Sequence, residues 1–342
     1  MTEISASHAK SDFIDTIRPL FGGLLLTAGI ALAAMGVRSM TGWLWLSPLI
    51  LSIVLGMIAG NLVSLPAGSS QGIAFAMRRL LRAGIILLGL QVTLAQILAL
   101  GLGGLSAVAI TLAVTFVAIR MLGRMMGVDP VLTDLIAAGT SVCGASAVIA
   151  ANSVAGGRDE QVAYAVASVT IFGSISMLLF PVIAGFLPLD PLGYGLWTGA
   201  TIHEVAQVVA AAFQGGEAAG QSGTIAKLAR VVLLAPLVFA MAFSIRRQPR
   251  GGPTAGSTPM PWFVLGFLAM VLLNSSVTIP AGIQHTGTLL STFLLSMGLA
   301  AMGLHTNIGR LRAQGLRPLA LGAFGWLFIS VFGLAMVKLA GF

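Results

Sequence analysis

The sequence predicts an all-α membrane protein of about eleven transmembrane helices, and three observations carry that reading. Hydrophobic residues make up 57% of the chain and charged residues 8%, against about 25% charged in an ordinary soluble domain. The mean hydropathy is +0.99. Apolar stretches of about 20 residues, the length that spans a bilayer, recur from end to end. Little chain is left for a soluble catalytic module, so neither enzymatic activity nor a cofactor is expected. The net charge of +8 does not point to nucleic acid, because Lys and Arg stand singly or in threes at the ends of spans, where they set topology. A single cysteine excludes an internal disulfide and a multi-cysteine metal site.

In chain order, residues 1–18 are polar and mixed in charge and read as a cytoplasmic tail. Pro19 to Val37 exceeds the apolar region of a signal peptide, about 7 to 15 residues, and reads as the first span. Trp43 and Trp45 mark an interface before the second span, which runs to about Val63. The third begins amphipathically with Arg78, Arg79 and Arg82 and reaches Leu98, and the fourth covers Leu102 to Leu122. After a polar segment from Gly139 to Asn152 and a charged loop of Arg158, Asp159 and Glu160, spans follow at about 161–186, 193–213 and 225–245. Gln248 to Pro261, rich in Pro, Gly, Ser and Thr, is the one linker-like piece. The last spans lie near 262–279, 286–305 and 318–340.

A gapless shift of 214 residues lays Pro66-Ala67-Gly68 on Pro280-Ala281-Gly282, Gly84 on Gly298, and Gly89-Leu90 on Gly303-Leu304. This reads as a duplication of spans 1–4 in spans 8–11. It divides the chain into the tail, a first repeat over 19–128, a central segment over 129–215 and a second repeat over 216–342. Corresponding spans are separated by an odd number of crossings whether the central segments span fully or re-enter, so the repeat is inverted. Positive charge switches accordingly, with Arg78, Arg79 and Arg82 falling on Thr292, Phe293 and Ser296. Eleven crossings from a cytoplasmic N-terminus place five of the 18 Lys and Arg outside, namely Arg38, Arg158, Lys227, Arg230 and Lys338. That bias predicts a cytoplasmic N-terminus and a C-terminus outside.

The chemistry concentrates between the repeats. Gly139–Asn152 reads G-T-S-V-C-G-A-S-A-V-I-A-A-N, and its Thr140, Ser141, Cys143, Gly144, Ser146 and Asn152 are the candidate substrate-binding residues. Close helix packing accounts for the glycines but not for the run of hydroxyls. Backbone released by glycine at membrane depth is satisfied by protein or a water-filled cavity, so an interrupted helix here would line a site. A second polar segment, G-A-T-I-H-E-V-A-Q-V-V-A-A from Gly199 to Ala211, resembles the first at a shift of 60. As a helix it would gather His203, Glu204 and Gln207 within an arc of about 100°. These three are the candidate coupling or ion-binding residues, since a charged side chain at mid-membrane costs at least about 2.5–3.5 kcal/mol. A purely structural His203–Glu204 pair is the alternative. Whether either segment spans fully or re-enters stays open at this point.

Both motifs, with G-I-I-L-L-G-L in the third span (Gly84–Leu90), resemble the bacterial YeiH-type membrane proteins, which carry a sulfate-exporter label. The resemblance covers essentially the whole chain. It implies a fold of the cation/proton antiporter and bile acid symporter type, with inverted repeats and broken helices crossing near mid-membrane. It also implies transport of sulfate or a related sulfur oxyanion.

Elementary electrostatics accommodates such a substrate. Helix N-termini and hydroxyls donate to an anion without a permanent buried cation. A dianion leaving an inside-negative cell gains about 4.6 kcal/mol per 100 mV, so export needs no coupling ion. Glu204 and His203 matter more for a proton- or sodium-coupled carrier of an organic anion or sulfonate. An anion channel would use similar polar groups, but an inverted repeat with broken helices favours alternating access. A hydrolase built from Ser141 or Ser146 with His203 and Glu204 lacks a G-x-S-x-G elbow. The expected partners are therefore a small anion, a proton or sodium ion, the lipid bilayer and further copies in a homo-oligomer, with no metal.

Overall fold

The structure, a computed structural model, describes residues 2–41, 47–63, 68–246, 262–306 and 316–342. Trp43, Trp45, the Gln248–Pro261 linker and the Pro66-Ala67 part of the repeat lie outside the described residues. Within them every element is helical. In order they are α1 (Thr2–Thr41), α2 (Pro48–Leu62), α3 (Ser69–Phe75), α4 (Leu81–Leu88), α5 (Leu94–Ala99), α6 (Gly101–Met125), α7 (Pro130–Ser141), α8 (Ala145–Ala155) and α9 (Asp159–Ala184). There follow α10 (Pro191–Thr201), α11 (Val205–Ala212), α12 (Glu217–Val232), α13 (Leu234–Arg246), α14 (Trp262–Ser276), α15 (Ala281–His305) and, last, α16 (Leu316–Leu339). A π turn over Ala76–Leu80 joins α3 to α4. Among the described residues six stretches are long and apolar enough to cross a membrane: Leu20–Thr41, Gly101–Met125, Asp159–Ala184, Glu217–Ser244, Ala281–His305 and Leu316–Leu339. Helix boundaries keep the 214-residue shift, α2 at 48–62 falling on α14 at 262–276.

The chain packs as two compact units, Met1–Leu88 with Ala281–Asn307, and Gly89–Pro280 with Ile308–Phe342. In the first, glycines bring helices into backbone contact, as small residues do where lipid offers no hydrophobic drive to associate. Gly56 of α2 abuts Ala300 and Gly60 abuts Leu304, so α2 and α15 run parallel. Gly84 of α4 abuts Leu295 while Gly298 abuts Leu81, so α4 and α15 run antiparallel. Ser291 Oγ locks this pair by donating to the Gly84 carbonyl at 2.8 Å.

In the second unit α6 and α16 are likewise antiparallel, Gly325 facing Ile119 and Gly333 facing Thr111. Its core is built of Leu132, Leu135 and Ile136 of α7, Val148 of α8, Val169 of α9 and Met241 of α13. α7 and α10 both start on an Asp-Pro pair. Asp129 accepts from the amides of Val131 and Leu132, and Asp190 from that of Gly193. The proline follows at the first helical position, where no amide partner is lost.

Neither helix goes far. α7 stops after 12 residues and α10 after 11, and the chain turns back through non-helical tips at Val142–Gly144 and Ile202–Glu204. Gln161 Nε2 donates to Asp129 Oδ1 at 2.9 Å, which returns the end of α8 to the start of α7. Tyr194 Oη donates to the Ala211 carbonyl at 3.0 Å and does the same for α10 and α11. Each pair is thus an antiparallel hairpin. α9, 26 residues or about 39 Å long, runs from the foot of one hairpin to the foot of the other, and the two tips point at each other.

This geometry corrects two expectations. The half-helices double back where the resemblance implied that they cross: Gly139 of α7 faces Val148 of α8, and Gly157 just beyond α8 faces Val131 near the start of α7, so the two pack antiparallel and not end to end. Two of the eleven apolar segments are accordingly hairpins. His203 and Glu204 also do not share a helical face with Gln207, because the helix ends at Thr201 and restarts at Val205.

Candidate functional site

Where the tips meet, four half-helix ends come together with their dipoles. The C-terminal ends of α7 and α10 present carbonyls that have lost their helical partners. Two cations from α12 take them. Lys227 Nζ donates to the carbonyls of Val142 at 2.8 Å and Ile202 at 2.7 Å. Arg230 donates through Nε to Ser141 at 2.7 Å, through Nη1 to Ala200 at 2.7 Å and Ile202 at 3.2 Å, and through Nη2 to Thr140 at 2.5 Å. Spaced three apart, the two lie on one face of α12, and both are fully buried. Positive charge at helix C-termini is the favourable sign. These cations therefore bind both hairpins to α12 and direct most of their donors to the protein itself.

The N-terminal ends of α8 and α11 meet the opposite chemistry. Glu204 Oε1 accepts from the Ala145 amide, the first of α8, at 2.5 Å across 59 residues of sequence. Gly144 makes this possible: its φ is +67°, and a Cβ there would overlap the Glu204 carboxylate. Gln207 Oε1 accepts from the Glu204 amide at 3.1 Å, while its Nε2 donates to the Thr170 carbonyl at 3.1 Å and to Ser174 Oγ at 3.2 Å. No ion pair within 4.0 Å joins Glu204 to Lys227 or Arg230 among the described residues.

Of the sequence candidates, Thr140, Ser141, Cys143, Gly144, His203 and Glu204 are brought together at the tips, with Gln207 one turn behind. Ser146 stands exposed in the first turn of α8. Asn152 is at the foot of that hairpin, about 12 Å along α8 from Gly144, where its Oδ1 accepts from the Gly157 amide at 2.7 Å. Ser141 Oγ and both ring nitrogens of His203 are buried without a partner among the described residues, and buried polar groups left so cost about 1–3 kcal/mol each.

Sequence reasoning missed Lys227 and Arg230, which it assigned to an outer loop. Starting the span at 225 put them at its edge, whereas α12 begins at Glu217 and carries them ten and thirteen residues inward. The available signal was two cations three apart in a stretch otherwise built of small and apolar residues. The expectation of a site without a permanent buried cation is corrected by the same pair.

Comparison with known proteins adds the lineage. A family model described as conserved hypothetical protein 698 matches residues 22–322. The chain belongs to that family. Its relatives include a UPF0324 membrane protein of Pseudomonas aeruginosa, 42% identical over 92% of this chain and 93% of the relative. A UPF0324 membrane protein of Bordetella pertussis is 37% identical over 94% of each chain. A UPF0324 membrane protein of Corynebacterium glutamicum is 40% identical over 89% of this chain and 87% of the relative. No solved structure matches. The family is one of membrane proteins, in keeping with the several apolar helices of this chain.

Proposed function

We propose that this protein is a secondary transporter that moves a small anion, sulfate or a related sulfur oxyanion, across a bacterial inner membrane by alternating access. The observation that carries the reading is the meeting of two opposed hairpin tips, with Lys227 and Arg230 on the helix C-termini and donors at the helix N-termini. Non-helical backbone at membrane depth occurs where it is buried in protein or lines a cavity, and half-helix N-termini pointing at a central site are how carriers hold anionic groups. The leading arms α7 and α10, 12 and 11 residues or about 17–18 Å long, reach the middle of a hydrocarbon layer of about 30 Å.

Nine crossings with two re-entrant hairpins follow. The inverted repeat is supported by helices related through the 214-residue shift running antiparallel, α4 beside α15 and α6 beside α16. The charges also fall into better order. Re-entry moves Arg158 to the inner side and Lys227 and Arg230 are buried, so of 18 Lys and Arg only Arg38 and Lys338 remain outside and fourteen lie inside. The bias supports a cytoplasmic N-terminus and an external C-terminus.

In this reading the tips bind the anion and Glu204 couples its movement to a proton or sodium ion. Proteoliposomes test it, with sulfate, sulfite, sulfonates and carboxylates offered in turn under imposed proton, sodium and voltage gradients. Saturable uptake accelerated by the same anion inside is expected, and Glu204→Gln should abolish gradient dependence while substrate binding stays measurable. Unsaturable flux without counter-transport would overturn the carrier in favour of a channel, and no anion flux would overturn both.

A further inference from the structure

Glu204 does something here that its burial and sequence position do not require. A carboxylate at the start of α11 ordinarily serves its own helix, and Glu204 does so in a capping box with Gln207, yet its Oε1 also reaches the first amide of a different helix, Ala145 of α8. Gly144 clears the space, since any side chain there would occupy the place of the carboxylate. Lys227 and Arg230 attract the carboxylate electrostatically, but they are turned to carbonyls and form no ion pair with it among the described residues. A carboxylate seated on a helix N-terminus is the arrangement that a bound free oxyanion would have. Unpartnered Ser141 Oγ and the unpartnered His203 ring, both buried in the same tips, show that this place has polar capacity the protein itself leaves unused.

We infer that Glu204 is a tethered stand-in for substrate: its carboxylate fills an oxyanion subsite on the α8 N-terminus, and an incoming carboxylate, sulfonate or sulfate head group takes the Ala145 amide by displacing it. The inference rests on the anion-carrier reading and sharpens it. Substrate and Glu204 exclude each other at one amide, so the protein's own anion closes the subsite between substrates. Glu204 leaves when an oxyanion arrives, and its release is the local event that can be coupled to a second ion.

Chemical rescue tests this without transport. Purified protein in detergent is titrated with sodium formate, with sodium sulfate and, as an ionic-strength control, with sodium chloride, and its melting is followed. Glu204→Ala removes the carboxylate and opens the subsite, so formate or sulfate should stabilise this variant at concentrations at least tenfold below any that stabilise the wild type. Glu204→Gln keeps an oxygen for the Ala145 amide and should show no such gain. Should Glu204→Ala fail to fold, Glu204→Asp, one methylene too short to reach, carries the same expectation. Equal response of wild type and variant, response to chloride alike, or no response overturns the inference. A protein that moves no anion in proteoliposomes yet gains formate binding in Glu204→Ala would overturn the carrier and leave the subsite standing. Transport without that gain would do the reverse.

Discussion

Replacing Arg230 with methionine removes four hydrogen bonds from the hairpin tips while keeping most of the buried volume. The Ile202 carbonyl retains Lys227, but those of Thr140, Ser141 and Ala200 lose the partner described for them. At about 1–3 kcal/mol for each buried group left unsatisfied, the loss is about 3–9 kcal/mol. One term opposes it, because removing a buried charge returns several kcal/mol of desolvation. That return outweighs the loss when a whole ion network is replaced by apolar groups, and here the carbonyls stay behind. The net effect is therefore destabilising by about 3 kcal/mol or more, the usual cost of deleting one member of a buried charged set. At about 2 °C per kcal/mol for a chain of this size, melting in detergent should fall by at least about 6 °C. Arg230→Lys, with charge but no planar fork, should fall between the two. An Arg230→Met protein melting within about 2 °C of wild type would refute the claim that this side chain holds the tips together.

Other expectations follow from the same geometry. Ser141→Ala deletes a buried hydroxyl that has no partner among the described residues, so melting should be unchanged or slightly raised; with Ser146→Ala it should still weaken substrate affinity, and equal affinity would remove both from the site. Gly173→Ala places a methyl against Gln207 Oε1 and should cost about 1–3 kcal/mol by displacing that side chain from Thr170 and Ser174, read as a lower melting temperature and slower transport. Gly56→Val drives a side chain into the Ala300 carbonyl and should destabilise the α2–α15 contact by a similar amount, whereas Gly22→Ala, with nothing within 4 Å of the added carbon, should be silent in the same melt.

Periodicity and composition were enough to identify the long apolar segments of this chain. A run such as Gly101–Met125 is legible because apolar length is a local property, and the shift of 214 is legible because backbone-shaping glycines recur while arginines do not. The polar segments at 139–152 and 199–211 were likewise visible as places where Gly, Ser, His and Glu interrupt apolar sequence. Direction was not visible. Whether the chain continues or turns back after Ser141 depends on Asp129 meeting Gln161 and on Tyr194 meeting Ala211, contacts between residues that no local pattern relates. The same holds for Lys227 and Arg230. On the sequence they are cations near the edge of an apolar run, the usual mark of a loop, and only the fold brings them to carbonyls 25 to 90 residues away. Sequence determined which groups are costly to bury; the tertiary structure decided which of them compensate one another, because partners for a buried charge are found in space and not along the chain.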